Sequence, residues 1–463
     1  MSAPFLWIVI PFLASIGAWF IQDKRRLVFY LSTGLFALLG LTALAQNIGG
    51  VIRLGSTTLE LKSTMIFMGR SFILENKDRF FLAFVSFATL FWILGSRISQ
   101  APTKFIPLSM MVVSLFTAAL AVEPFLYSAV IMELVVLVTL LLLMSRTQPI
   151  KKGILHYLIY QSLAMPFILL AGWILSGSQA NPSDATQLQI AALLLGIGFA
   201  FWLGVFPFHV WIPELAEENQ AYPVGFLLTL LPPVALMIIL KFINGLVWLR
   251  DTAYLPSVLQ IVGTVMIVTG GLWASMQTSL KKMFGYIILV DSGFMLLCIS
   301  VRAQIGLELF YLSLIPHVLA MAVLTYTLAY FERHQMEPSL EALRGEMKNH
   351  PLVFIIIFVA LFSIIGLPFF ASFSLHLALF ENLAVQPGVI IWVLIGYFCL
   401  LIAAFRLLVV LLENRYTQWR ISESRGDLLY LVSGIFILLL MGIFPSVFIG
   451  GIWQTFAALL SLG

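Results

Sequence analysis

Apolar runs of about twenty residues, separated by short polar breaks, repeat from one end of the chain to the other. A helix rises 1.5 Å per residue, so about 20 such residues cross the roughly 30 Å hydrocarbon core of a bilayer. Candidate spans run over 4–20, 27–45, 80–94, 105–121, 125–144, 154–175, 188–208, 224–247, 258–276, 283–301, 305–331, 352–379, 389–412 and 428–449. An unpaired backbone amide costs several kcal/mol in lipid, so a span must be a helix or a closed barrel. The runs lack the strand-length alternation of a barrel. The pattern therefore predicts an all-α, polytopic membrane protein of about fourteen transmembrane helices. One long loop, 46–79, carries alternating segments, and residues 57–61 predict a short hairpin there.

Composition agrees with the pattern. Hydrophobic residues make up 61% of the chain and charged ones 10%, and the mean hydropathy is +1.05, far outside the range of a soluble domain. The net charge of +4 and sequence pI near 9.0 do not indicate nucleic acid, because the basic residues are scattered singly or in pairs along loops. Their meaning is topological. Alternating the loops puts Lys24, Arg25, Arg26, Arg97, Lys104, Arg146, Lys151, Lys152, Lys281, Lys282, Arg333, Arg344, Lys348, Arg415, Arg420 and Arg425 on one face. Half as many fall on the other: Arg53, Lys62, Arg70, Lys77, Arg79, Lys241, Arg250 and Arg302. The richer face is expected to be cytoplasmic, with both termini outside a bacterial or archaeal inner membrane. The first apolar stretch leads into a basic loop rather than a cleavage site, so it is expected to be retained.

The sequence offers no catalytic centre and no cofactor site. Cys298 and Cys399 both lie inside apolar spans without metal-ligand spacing, and no Walker motif or Gly-rich dinucleotide loop is present. What remains is a small set of polar groups in hydrocarbon. A charge at the bilayer centre costs at least about 2.5 to 3.5 kcal/mol, so one that persists needs a partner, a proton or water.

Glu133 stands in the run IMELVVLVTLLLL with no base within two helical turns, and Asp291 is equally isolated at mid-span, with His317 one helix further on as its candidate partner. His376 follows Pro368 by eight residues and is expected deep in the second half of an interrupted helix. All four suit a proton relay, and the plain alternative for each is one structural hydrogen bond. His209 and Lys241 are further relay candidates, and His209 also suits hydrogen-bonded anchoring of a helix end. Lys241 and Arg406 lie near helix ends, where their stems can snorkel to the interface. Pro207, Pro213, the pair Pro232 and Pro233, Pro316 and Pro368 each remove a backbone hydrogen bond, and interrupted helices at membrane depth mark transport paths.

The segment FPFHVWIPELAEENQAYPVGFLL, residues 206–228, resembles the signature of the antiporter-like subunits of respiratory complex I, Mrp-type sodium/proton antiporters and membrane hydrogenases. Pro207, His209, Trp211 and Pro213 occur in the family's order, with Tyr222, Pro223 and Val224 where its next helix resumes. QTSLKKMFGYIILVDSGF, residues 277–294, looks like the family's polar link and Tyr-containing helix, and GLPFFASF, residues 366–373, is similar to its broken-helix motif.

The resemblance, covering about 124–412, implies two inverted five-helix repeats, near 105–247 and 258–412, each with a broken helix. It implies segments of 1–104 (first helices and outside loop), 105–250 and 251–412 (the repeats) and 413–463 (last loop and helix). Each repeat would hold a half-channel, the two joined by a polar axis at mid-membrane in which Glu133 matches the family's fifth-helix glutamate. There are departures. Trp202 stands where the family has a lysine five residues before the motif proline, Pro232 and Pro233 fall near its eighth-helix lysine or histidine, His376 replaces its twelfth-helix lysine or glutamate, and Asp291 stands where many relatives have histidine.

The function implied is ion translocation, most readily of protons, by a membrane subunit of a complex I-like NADH/quinone oxidoreductase or related redox complex. Other membrane subunits, the lipid bilayer and protons or sodium would be its partners, and it would bind no nucleic acid. Two alternatives stand beside it: a subunit of an Mrp-type antiporter or a stand-alone secondary transporter, and a non-pumping structural subunit, which Trp202 and the proline pair favour. Some relatives continue into a long lateral helix, and the ending at Gly463 implies no such brace.

Overall fold

A computed structural model describes residues 2–54, 57–144, 149–178, 185–301, 304–413 and 423–447. The apolar runs fold as helices: α1 (Ile10–Phe20), α2 (Arg25–Ala45), α3 (Arg79–Ile98), α4 (Phe105–Ala121), α5 (Ser128–Leu143), α6 (Lys152–Ser178), α7 (Ala185–Leu203), α8 (Trp211–Glu218) and α9 (Ala221–Gly245). The second half adds α10 (Val247–Arg250), α11 (Leu255–Met276), α12 (Leu280–Ser300), α13 (Gln304–Arg333), α14 (Pro351–Ile365), α15 (Phe373–Leu383), α16 (Pro387–Leu411) and α17 (Arg425–Ile443). Their starts follow local chemistry. Proline occupies the first turn of α11, α14 and α16, where no amide donor is needed. Ser279 caps α12, and Ser424 with Asp427 forms a capping box at α17.

Among the described residues, eleven helical segments are long and apolar enough to cross a membrane, and three shorter apolar helices, Phe5–Phe20, Phe105–Ala121 and Pro351–Ile365, accompany them. The chain is a multi-pass membrane protein. Helices α9 and α12 are almost wholly buried, as expected of helices surrounded by other helices, whereas α2, α16 and α17 leave most of their surface outward. Helix α9 touches α3, α4, α5, α7 and α8 as well as α12 and α13, so it packs against helices from both halves of the chain.

Among the described residues two helices are broken, and the breaks are built alike. Helix α7 ends at Gly204 (φ +64°), where Val205 N–H donates to the Ala200 carbonyl and Gly204 N–H to that of Phe201. Helix α14 ends at Gly366 (φ +75°), with Leu367 N–H on Phe362 and Gly366 N–H on Ser363. Each is a Schellman cap, which needs the left-handed conformation that glycine alone adopts cheaply. Pro207 and Pro368 then fall inside the breaks, and Pro213 in the first turn of α8. The other prolines behave differently. Pro232 and Pro233 lie inside an unbroken α9 and Pro316 inside an unbroken α13, because packing on every side holds these helices together across the missing donors. They are not helix breaks.

The long loop holds two antiparallel hairpins rather than one: Val51–Leu54 pairs with Thr57–Glu60, and Thr64–Phe67 with Arg70–Ile73, the latter extended by Val122–Glu123. Of the charges used to assign sides, Arg146, Arg302, Arg415 and Arg420 lie outside the described residues, as does the end of the last span, 448–449. Lys104, Lys151 and Lys281, assigned to one face from loops far apart in sequence, do meet around one cavity, next to the start of α9. Lys77 and Lys241, assigned to the other, line a second cavity at its end.

Candidate functional site

A buried polar cluster lies between α12, α13 and α9. The Asp291 carboxylate meets His317 Nδ1, and His317 Nε2 lies 2.9 Å from the Thr229 carbonyl oxygen. All three residues are buried. A carbonyl oxygen only accepts, so Nε2 carries a hydrogen, and a single further proton is shared between Nδ1 and the carboxylate. An acid and an imidazole joined in this way can exchange that proton without a net charge entering the core.

One turn along α12, Phe294 stacks on the His376 ring, with centroids 4.1 Å apart and planes inclined at 16°. His376 sits in the first turn of α15, immediately after the break, rather than deep in the half-helix. Its Nδ1 donates to the Ser372 carbonyl at 2.9 Å, and its Nε2 lies 2.9 Å from the Tyr397 hydroxyl of α16. The structure thus gathers Asp291, His317 and His376 into one region of the second half.

Glu133 belongs to a separate cluster in the first half. Ser162 of α6 donates to Glu133 Oε1 at 2.7 Å, and farther along the same two helices the Thr139 and Tyr157 hydroxyls are 2.8 Å apart. Glu133 Oε2 is buried with no protein partner among the described residues, and so is Gln161 Oε1. Gln161 Nε2 reaches the Phe201 and Trp202 carbonyls at 3.3 Å each, at the end of α7, where the Phe201 oxygen also accepts the Gly204 amide. Trp202 itself is 2% exposed and packs against Phe199. An apolar ring therefore stands beside the break where the family resemblance led us to look for a cation.

His209 is buried in the first break, but its Nδ1 has no hydrogen-bond partner among the described residues. Ring contacts with Phe206 and Tyr286 hold it there instead of the expected anchoring bond. Lys241 does more than snorkel: it donates to the Leu120 carbonyl and lies 3.8 Å from Asp78. It borders the second cavity, of about 490 Å³, with Glu75, Asp78, Glu123, Asn244 and Tyr311. Burial raises the Glu123 carboxyl above its ordinary range, and the nearby Lys241 opposes that shift. Arg406 reaches the Ser275 carbonyl.

At the other end of α9, a cavity of about 850 Å³ is bordered by Asp23, Lys104, Lys151, Glu218, Lys281 and Glu332. Helix α8 beside it carries Glu214 in its first turn, where the helix dipole favours an acid, and Glu217 and Glu218 at its negative C-terminal end, where the dipole opposes them. Each acid is held by a different group: His156, Lys282 at 2.8 Å and the Gly153 amide at 2.8 Å. Glu332 accepts the first amide of α9 and pairs with Lys281. No group of three or more His, Cys, Asp or Glu suited to a metal ion occurs among the described residues.

Sequence reasoning missed Ser162, Gln161, Thr139 with Tyr157, Tyr397, Asp78 and the Thr229 carbonyl. Hydroxyls and amides in apolar runs are common and satisfy themselves on their own helix, so their type and spacing carry little information. Only the Thr229 carbonyl had a readable cue, the proline four residues after it.

Residues 126–403 match the family described as NADH:quinone oxidoreductase/Mrp antiporter, TM. NADH-quinone oxidoreductase subunit N 2 of Solidesulfovibrio magneticus is 26% identical over 192 residues, 42% of this chain and 40% of that protein. Across it and three further subunit N relatives, the matched stretch spans 40–57% of the relative's length. The fold is similar to that of a chain in the Mrp complex from Dietzia sp. DQ12-45-1b, with TM-score 0.81, 16% identity and coverage of 99% of this chain and 97% of that one. It is also similar to a chain of Thermus thermophilus respiratory complex I with bound aureothin, with TM-score 0.76, 19% identity and coverage of 96% and 98%. With well over half of its length matched by the family model, this chain belongs to the NADH:quinone oxidoreductase/Mrp antiporter transmembrane family.

Proposed function

We propose that this chain moves protons across a bacterial or archaeal inner membrane as an antiporter-like subunit of a redox complex of the complex I type, with other membrane subunits as its partners. The observation that carries the proposal is the buried Asp291–His317 pair, held against an unbroken core helix and followed by His376 and Tyr397 at the second helix break. Each of these groups can give up one proton and accept another, and none is needed to hold a helix end. The Glu133 cluster lies beside the first break and serves as the corresponding group of the first half. In this reading the three shorter apolar helices also cross the membrane, giving fourteen spans and two repeats at 105–250 and 251–412. The face bearing Lys104, Lys151 and Lys281 is cytoplasmic, the termini are outside, and the proton rather than sodium is the ion, because the central groups are imidazoles and neutralised acids rather than a cage of oxygens.

The test is Asp291→Asn in the native assembly, with substrate-driven proton uptake measured in membrane vesicles. Loss of uptake with intact assembly is expected, and unchanged uptake overturns the reading. A second reading, a subunit that transmits force without conducting, is favoured by one observation: Trp202 fills the position of the family's lysine with a buried indole. Unchanged uptake in both Asp291→Asn and Glu133→Gln would select it.

A further inference from the structure

We propose that Pro233 is a positioning residue for His317: by withholding an amide hydrogen inside α9, it leaves the Thr229 carbonyl as the acceptor that holds the imidazole in one tautomer. In an α-helix the carbonyl of residue 229 accepts from the amide of residue 233. Proline has no such hydrogen, and α9 nevertheless continues unbroken through Pro233 to Gly245. The Thr229 oxygen thus lacks its helical donor, and His317 Nε2 lies 2.9 Å from it. Pro232 removes the donor to Leu228 in the same way, so two prolines side by side leave two consecutive carbonyls without their usual partners. The histidine uses the second.

The consequence for His317 is specific. With Nε2–H committed to a backbone oxygen, Nδ1 faces the Asp291 carboxyl with one proton between them. The alternative tautomer would set the Nε2 lone pair against the Thr229 oxygen, a repulsion between buried acceptors. The arrangement also links the two halves of the molecule, because α9 touches α4, α5 and α7 as well as α13. A shift of α9 would change the acceptor seen by His317, and through it the proton shared with Asp291.

The functional part of this inference rests on the proton-transfer reading of the Asp291–His317 pair, whereas the tautomer is measurable without it. The experiment compares the native assembly carrying Pro233→Ala, Pro232→Ala or the unaltered chain, labelled with ¹⁵N-histidine and read by solid-state NMR, alongside proton uptake in vesicles. The unaltered chain is expected to show His317 with Nε2 protonated and hydrogen-bonded. Pro233→Ala restores the helical donor to Thr229, so the Nε2–H resonance is expected to lose its bonded shift or to give way to a tautomer mixture, with uptake falling by roughly tenfold or more. Pro232→Ala is expected to leave the His317 spectrum as it was. A Pro233→Ala spectrum identical to that of the unaltered chain overturns the proposal. A changed spectrum with undiminished uptake, while Asp291→Asn abolishes uptake, overturns the positioning role and leaves the relay standing. Undiminished uptake in both variants overturns the relay reading itself.

Discussion

The Tyr397 hydroxyl lies 2.9 Å from His376 Nε2, while the other nitrogen of that ring is committed to the Ser372 carbonyl. A carbonyl only accepts, so Nδ1 is the protonated nitrogen, and the neutral ring takes the Tyr397 hydrogen at Nε2. For His376 to gain a proton at Nε2, that hydroxyl must turn and present its lone pair. Tyr397 is therefore a switchable partner, at the point where α15 resumes after the second break.

Tyr397→Phe tests this arrangement. It keeps the ring and leaves Nε2 buried without a donor, which costs about 1–3 kcal/mol. A lowered melting midpoint of the purified assembly is expected, together with slower proton uptake. An unchanged midpoint would show that Nε2 finds another donor at no cost.

Glu133→Gln preserves volume and an oxygen that can accept from Ser162, so the variant is expected to assemble normally. It removes the exchangeable proton. Uptake in vesicles is expected to fall by about 10²-fold, the usual scale for a lost acid–base group. Full uptake would reduce Glu133 to a buried acid that makes one structural hydrogen bond.

Asp291→Ala differs from the Asn variant because it breaks the buried pair. His317 Nδ1 then faces a cavity with no acceptor, and losing one member of such a pair costs about 3–5 kcal/mol. Poor assembly of Asp291→Ala alongside normal assembly of Asp291→Asn is the expected outcome, read from membrane-extract sizing. Equal assembly of the two would mean that the pair contributes little to stability.

How much of this was legible beforehand depends on which physical effect sets each feature. Span positions follow from apolar length, so α2, α9, α12 and α16 lie within a few residues of their predicted limits. Sequence alone marks Pro207, Pro232, Pro233, Pro316 and Pro368 alike, and the structure breaks the helix only near Pro207 and Pro368, each of which follows a glycine that caps the preceding helix. The prolines at 232, 233 and 316 present the same residue type without the glycine, and tertiary packing carries their helices through. Asp291 and His317 were readable as a pair, since a buried charge demands a partner. Tyr397 was not, because nothing in one sequence says which of many apolar-span tyrosines turns its hydroxyl inward.

Acidification is expected to destabilise the fold near the start of α14. His350 precedes that helix, with its Nδ1 2.9 Å from the Tyr330 hydroxyl. Burial pushes the imidazole below its ordinary value near 6.5, while Glu423 and Glu346 oppose the shift and His334 adds to it. The folded state therefore binds fewer protons here than the unfolded chain. The contribution is complete above about pH 6.5 and is lost as the pH falls toward the folded value. The melting midpoint should drop as the pH falls below about 6.5. His350→Gln should flatten that slope, and an unaltered slope would place the sensitivity elsewhere.

Gly366→Ala separates the shape of the second break from its chemistry. The backbone there has φ +75°, and a left-handed alanine costs about 1–2 kcal/mol. A Cβ at this position would also lie 2.5 Å from His376 Cγ, so the ring must move away from Tyr397 or the cap must open. Gly204→Ala is the matched control. It carries the same kind of strain at φ +64°, but its Cβ would meet Ile212 Cδ1 at 2.5 Å and touch no imidazole. The two variants should therefore lose similar stability, while Gly366→Ala loses proton uptake out of proportion to its melting midpoint. If both lose uptake only as far as they lose assembled protein, the break at Gly366 is an element of shape alone, and the position of His376 beside it has no part in conduction.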